Sequence, residues 1–393
     1  MIILNNKRVL VKFTPFFRLN LYLGLFVALS ACGGGGGGGG GGTTSATNST
    51  GTVGTSINAP TGESLYISHI SYSLNPLSLT TSSLLNFNNL TSMSLTTVNS
   101  PSSGYYSRMI SDSSGNIYAV VDQISGGNIQ SVSVVKFPNA INTATSLTPT
   151  TIISSLPANI EVRNIALDGS RNLYLTEVAN NSDTLGNIVE YTATSSYTNS
   201  STYFAFSKTG GNSGPCGEKA YLAFDSAGQA WIDDVYWDGS ACHNTLGIFN
   251  GTTMTNLLTQ PEDNSGPIVF DGNGHLWELA EPCLNNCTTN SNGGVFEFTS
   301  LSTGSSANLV ASFPSGEINS GENAPIQPVF DEKGNLWFAL VNGNLTSTSC
   351  NNGMDLEELP NNQTSLTTAY SYSSCNSIQA LAVIPVPTGL PLN

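Results

Sequence analysis

Val329-Phe-Asp331-Glu-Lys-Gly334-Asn-Leu-Trp337 decides the fold, because it is one of five copies of a single phrase. The others are Ile110-Ser-Asp112-Ser-Ser-Gly115-Asn-Ile-Tyr118, Ala166-Leu-Asp168-Gly-Ser-Arg-Asn-Leu-Tyr174, Ala223-Phe-Asp225-Ser-Ala-Gly228-Gln-Ala-Trp231 and Val269-Phe-Asp271-Gly-Asn-Gly274-His-Leu-Trp277. Each runs from an apolar strand end through Asp and a Gly-centred turn into an apolar residue and an aromatic. The Asp positions fall 56, 57, 46 and 60 residues apart. Self-similarity at that period marks an array of one supersecondary unit.

Each copy continues into a second apolar segment: Val132–Phe137, Asn187–Tyr191, Leu246–Phe249, Gly294–Phe298 and Met354–Leu359. Polar turn residues and a weaker strand follow, such as Ser201–Phe206 or Ser306–Phe313. Four short strands per unit with no sustained helical period predict an all-β fold. Units of four strands repeated radially describe a β-propeller. A right-handed β-helix would have shorter coils, and an immunoglobulin array longer units. At the ends, Gly62–Ile67 reads as a second strand lacking its first, and Ile378–Val383 as a first strand lacking its second. Joined, they make a sixth blade, so the C-terminal strand closes the ring on the N-terminal segment and removes exposed sheet edges.

The phrase resembles the repeats of NHL, virginiamycin B lyase-like and gluconolactonase-type propellers, in which Asp-x-x-Gly-x-Leu-Trp/Tyr joins the innermost strand to the next. In this chain the phrase is read as scaffold: Asp caps the turn, Gly supplies positive φ and the aromatic packs between blades.

The predicted domains are a signal at 1–31, a tether at 32–60 and the propeller at 61–393. Lys7, Arg8, Lys12 and Arg18 precede an apolar run, Leu21–Ala31, too short to span a bilayer. Leu29-Ser-Ala-Cys32 resembles the bacterial lipoprotein lipobox, which implies cleavage before Cys32 and its lipidation. Gly33–Gly42 and the Thr/Ser/Asn-rich stretch after it form a flexible coil. The expected location is the cell envelope, with the membrane met only through the lipid; Gly33 after the Cys resembles outer-membrane sorting in Gram-negative lipoproteins.

A net charge of −15, falling to −19 once 1–31 is removed, and the lack of a basic stripe exclude nucleic acid as partner. Six further cysteines in an exported chain predict disulfides. Register on the blades pairs Cys216–Cys242, Cys283–Cys287 and Cys350–Cys375; a zinc site from Cys283-x3-Cys287 with His243 or His275 is the alternative.

Ligands of the resembling propellers enter at the rim before the first strand and after the second. Arg108, Asn164, Tyr221 and Gln327 occupy first-strand entry positions there and are the expected ligand contacts. Three residues after the aromatic, second strands carry His69, Glu177 and Asp234, with Asp233, Glu278 and Glu281 close in register. A His with carboxylates can hold a divalent cation or perform acid–base work; the same residues equally describe a solvated acidic rim with His69 bonded to backbone. Only Asn164 matches the metal set that the gluconolactonase resemblance implies, and Arg108 opposes a cation there. Arg108 and Arg163 are alternatively a clamp for a carboxylate or sugar acid. His275 falls in the turn at the opposite rim. The residues do not spell an active site and require no cofactor. The expectation is therefore a non-catalytic module for a protein or carbohydrate, the alternative a metal-dependent lyase or lactonase.

Overall fold

A computed structural model of the chain describes residues 3–4 and 7–8 and most of 64–386. Residues 75–76, 88–94, 102, 126–127, 141–145, 158–159, 180–185, 207–218, 238–241, 260–265, 281–292, 315–325, 343–352, 373–375 and 385 lie outside the described residues, as do some strand side chains, Cys242 and His243 among them.

Six four-stranded antiparallel blades form the propeller. In blade one, Asn376–Ile384 is innermost, followed outward by Ser64–Leu74, Leu77–Phe87 and Leu95–Asn99. Pairs from Ile384↔Ser64 to Asn376↔Ser71 fasten the two ends of the chain into one sheet, as the split sixth unit predicts. Blade two is Tyr105–Ser111, Ile117–Ser125, Asn128–Phe137 and Thr150–Ile153; blade three is Ile160–Leu167, Leu173–Ala179, Asn187–Tyr191 and Ser200–Ala205. Blade four is Lys219–Phe224, Ala230–Trp237, Cys242–Phe249 and Met254–Thr259. Blade five is Ile268–Phe270, Leu276–Ala280, Gly294–Phe298 and Asn308–Ser312, and blade six is Val329–Phe330, Leu336–Asn342, Gly353–Leu359 and Thr367–Ser371. Ser305–Ser306, on the way to the last strand of blade five, adds in parallel to the outer edge of blade four.

The core is divided among the seams. Six apolar clusters lie one between each pair of neighbouring blades. Strand alternation explains this: successive side chains point to opposite faces of a blade, and each face meets a different neighbour. Thus Leu65 and Ile67 face blade six, while Tyr66 between them faces blade two.

The repeated phrase builds the turn between first and second strands. Asp112 Oδ1 accepts the backbone N–H groups of Ser114 and Asn116 at 2.9 and 3.0 Å, and the same pair of bonds recurs at Asp168, Asp225, Asp271 and Asp331. The aromatic six residues on donates to the other oxygen: Tyr118, Tyr174, Trp231, Trp277 and Trp337 do so at 3.0–3.2 Å. The five carboxylates are therefore occupied by their own turns. Gly115, Gly228, Gly274 and Gly334 have φ between 77° and 81°, and Arg171 takes this place in blade three with φ 65°. Blade one has no such Asp, because its turn would join the two ends of the chain; Tyr66 donates instead to the Ala140 carbonyl at 2.8 Å.

Candidate functional site

The mouth residues are mostly tied into the scaffold. Asn164 Oδ1 accepts the Leu222 N–H at 3.2 Å and links the innermost strands of blades three and four. Gln327 Nε2, from the segment entering blade six, donates to the Ile165 carbonyl of blade three at 3.2 Å and so crosses the axis of the ring. Tyr221 is buried in the apolar seam between blades four and five. Arg108 Nε donates to the Arg163 carbonyl at 2.8 Å, and Arg163 in turn pairs with Glu161 at 2.9 Å. Three of the four expected ligand contacts thus join one blade to another, and Tyr221 fills a seam.

His69, Glu177 and Asp234 do not converge. His69 follows Leu65 and Ile67 in alternation, faces the seam between blades six and one, and stacks on Tyr372 with ring centroids 4.7 Å apart. Glu177 follows Leu173 and Leu175 into the seam between blades two and three, where Oε1 accepts the Tyr191 hydroxyl at 2.8 Å. Asp234 follows Ala230 and Ile232 into the seam between blades three and four. The physical reason is rotational equivalence. Residues three positions after the aromatic all face the preceding blade, so each occupies a different seam.

Among the described residues the acidic rim is not solvated either. Asp233, Asp234 and Glu278 are almost wholly buried, and Asp122 and Glu177 nearly so. Burial pushes the Asp122 carboxyl up to about 6; Ser107 and Arg108 oppose that rise, and the neighbouring Glu161 charge adds to it. Burial likewise raises the Glu177 carboxyl, with the Tyr191 hydrogen bond opposing. Cys32, Cys216, Cys283, Cys287, Cys350, Cys375 and Glu281 lie outside the described residues. Cys242 opens the third strand of blade four, its side chain undescribed.

At the opposite rim, the turns of blades five and six frame a cavity of about 610 Å³. Its wall includes Asp271, His275, Trp277, Glu297, Leu309 and Lys333. Leu309 is 54% exposed, the one large apolar side chain so exposed among the described residues. Trp277 is only partly buried, whereas its equivalents Trp231 and Trp337 are almost fully so.

Blade five also departs from the repeat in its chemistry. The position four after the turn Asp is Asn116, Asn172, Gln229 and Asn335 in the other blades, and His275 here. Asn116, Asn172 and Asn335 donate to the second oxygen of their Asp. His275 Nδ1 lies 2.8 Å from Glu297 Oε1 and 3.5 Å from Asp271 Oδ2. Glu297 is set there by the third strand, directly opposite Trp277. The sequence contained the signal, a His in place of Asn within an otherwise uniform phrase; the missing element was the cross-strand register that brings Glu297 to it.

No family profile matches this chain, and no curated protein sequence does. Among solved structures, a protein from Lactobacillus plantarum is 9% identical, with 82% of this chain and 99% of that one covered and a TM-score of 0.45. A proposed gluconolactonase is 12% identical, covering 71% of this chain and 89% of its own at a TM-score of 0.41. An exo-β-1,3-galactanase from Phanerochaete chrysosporium is 11% identical, covering 70% and 65% at 0.44. None of these likenesses assigns a residue role or a substrate to this chain.

Proposed function

We propose that this chain is an exported, lipid-anchored propeller that binds a carbohydrate at the turn rim of blades five and six without transforming it. The observation carrying this reading is the cavity itself. A part-exposed indole and Leu309 offer an apolar face for a sugar ring, and Glu297 and Lys333 offer an acceptor and a donor for its hydroxyls. The wall is mainly polar, with the indole and Leu309 as its apolar part, which suits a ligand rich in hydroxyls. A glycan array tests it: the wild-type protein is expected to bind a subset of oligosaccharides, and Leu309→Arg, which fills the cavity from an exposed position, is expected to lose them. Binding unaffected by Leu309→Arg would remove the cavity from consideration.

Anchoring rests on the basic stretch, the apolar run and Leu29-Ser-Ala-Cys32. An acylated Cys32 peptide from membrane-fraction protein would support it, and an intact N-terminus would oppose it. For a Gram-negative host we place the protein in the outer membrane. The six remaining cysteines are proposed to pair as Cys216–Cys242, Cys283–Cys287 and Cys350–Cys375; peptide mapping without reduction reads the connectivity, and free thiols would exclude it.

One observation favours a second reading, a metal-dependent lyase or lactonase at the mouth. Burial raises the carboxyls of Asp122, which has Arg108 beside it, and of Glu177, and groups so shifted suit proton transfer near neutrality. Turnover of aldonolactones or of uronate-containing oligosaccharides, lost in Asp122→Asn, would establish that reading; no turnover with metal-loaded protein would reject it.

A further inference from the structure

We infer that Asp271, His275 and Glu297 form a binding site for one divalent transition-metal ion of the Zn²⁺ type, set in the turn-rim cavity of blade five. The three side chains each offer a ligand atom, and these atoms lie within 4.8 Å of one another. They are held from three directions. Asp271 is fixed by the backbone N–H groups of Asn273 and His275 on Oδ1 and by the Trp277 indole on Oδ2. Glu297 comes from the third strand, and His275 from the end of the turn. A carboxylate oxygen has two lone pairs, so Oδ2 can accept the indole hydrogen and still bind a cation.

The donor set selects the ion. One imidazole nitrogen with two carboxylate oxygens suits Zn²⁺ and its first-row neighbours, whereas Ca²⁺ and Mg²⁺ call for oxygen alone. Bonds of about 2.0–2.2 Å to tetrahedral Zn²⁺ place ligand atoms roughly 3.3 Å apart. The separation of Nδ1 from Asp271 Oδ2, 3.5 Å, already meets this. That of Nδ1 from Glu297 Oε1, 2.8 Å, is a hydrogen bond and opens by about half an ångström when the ion replaces the shared hydrogen. The neutral ring then carries its hydrogen on Nε2. Water from the cavity completes the coordination shell. A chain of net charge −15 raises the local concentration of any cation, which helps capture without choosing the ion.

The repeat makes the site distinctive. Across the other described blades the same two positions hold Asn116 with Lys136, Asn172 with Glu190, Gln229 with Ile248 and Asn335 with Glu358. Only blade five joins an imidazole to a carboxylate there. This also supplies the control: His275→Asn restores the residue that blades two, three and six use to brace the same turn, so the variant is expected to fold.

The inference goes beyond the proposed sugar binding, since the ion is held whether or not a sugar enters. The test is calorimetric titration of Zn²⁺ into chelator-treated full-length protein. His275→Asn is expected to bind one equivalent fewer than wild type, and Glu297→Gln to bind that equivalent at least tenfold more weakly. Any zinc taken by cysteines or His243 is common to all three proteins and cancels in the comparison. Identical stoichiometry and affinity in wild type and both variants would overturn the site, as would a wild type that takes no Zn²⁺. Equal loss of a Ca²⁺ equivalent in place of a Zn²⁺ one would overturn the choice of ion. His275→Asn separates the two proposals, because it should remove the Zn²⁺ equivalent and leave glycan binding through Trp277, Leu309 and Lys333 in place.

Discussion

The indole Nε1 of Trp337 donates to Asp331 Oδ2 at 3.0 Å, so the aromatic that fills a seam also secures the turn leading into its own strand. Asp331 accepts three further bonds, from the backbone of Lys333 and Asn335 and from the Asn335 side chain.

Asp331→Ala therefore leaves buried donors without an acceptor and should cost about 3 kcal/mol in a urea titration. Asp225 is less buried and accepts three bonds, and Asp225→Ala should cost about 1 kcal/mol. Equal and negligible losses at both positions would contradict a structural role for the carboxylates.

Arg171 adopts the left-handed conformation that glycine holds in four of the five turns, with φ 65°. It lies 3.9 Å from Asp112 of blade two and bonds to Ser114 there. Arg171→Gly relieves about 1 kcal/mol of backbone strain but forfeits the inter-blade contact and loosens the unfolded chain. The expected net change is within about 0.5 kcal/mol. Arg171→Ala keeps the strain and loses the contact, so it should fall about 1 kcal/mol below the glycine variant. Thermal melts of the pair decide the order.

Asp122 makes stability depend on pH. Its carboxyl titrates at about 6 when folded, above its ordinary value near 3.8. Between those values the native state holds the proton more tightly than the unfolded chain. Its contribution is complete below the lower value and is lost as pH rises through the upper one. The loss is on the order of 3 kcal/mol by pH 7.5. Melting temperature should fall between pH 4 and pH 7 because of this group, and Asp122→Asn should flatten that part of the curve.

The fold was legible because its signals are local or periodic. A turn Asp, a positive-φ position and a donor-bearing aromatic are chemically coupled within seven residues, and their recurrence gave the blades. The half-phrases at Gly62–Ile67 and Ile378–Val383 gave the closure. The mouth was less legible. Register placed His69, Glu177 and Asp234 at one height, but equivalent strand positions in a ring face successive seams and never one another. Gln327 could not be read as a tie across the axis, since its partner, Ile165, is distant in sequence and carries no side-chain signal. Glu297 was hidden by the same limit, because its meeting with His275 depends on which residue lies opposite Trp277.

Ligand binding is proposed for the turn rim of blades five and six rather than for the mouth. Calorimetry with the tightest oligosaccharide from the array, titrated into Leu309→Arg and Arg108→Ala, tests it most directly. Leu309→Arg should abolish the heat of binding while Arg108→Ala retains wild-type affinity. Loss in Arg108→Ala with binding intact in Leu309→Arg would contradict it.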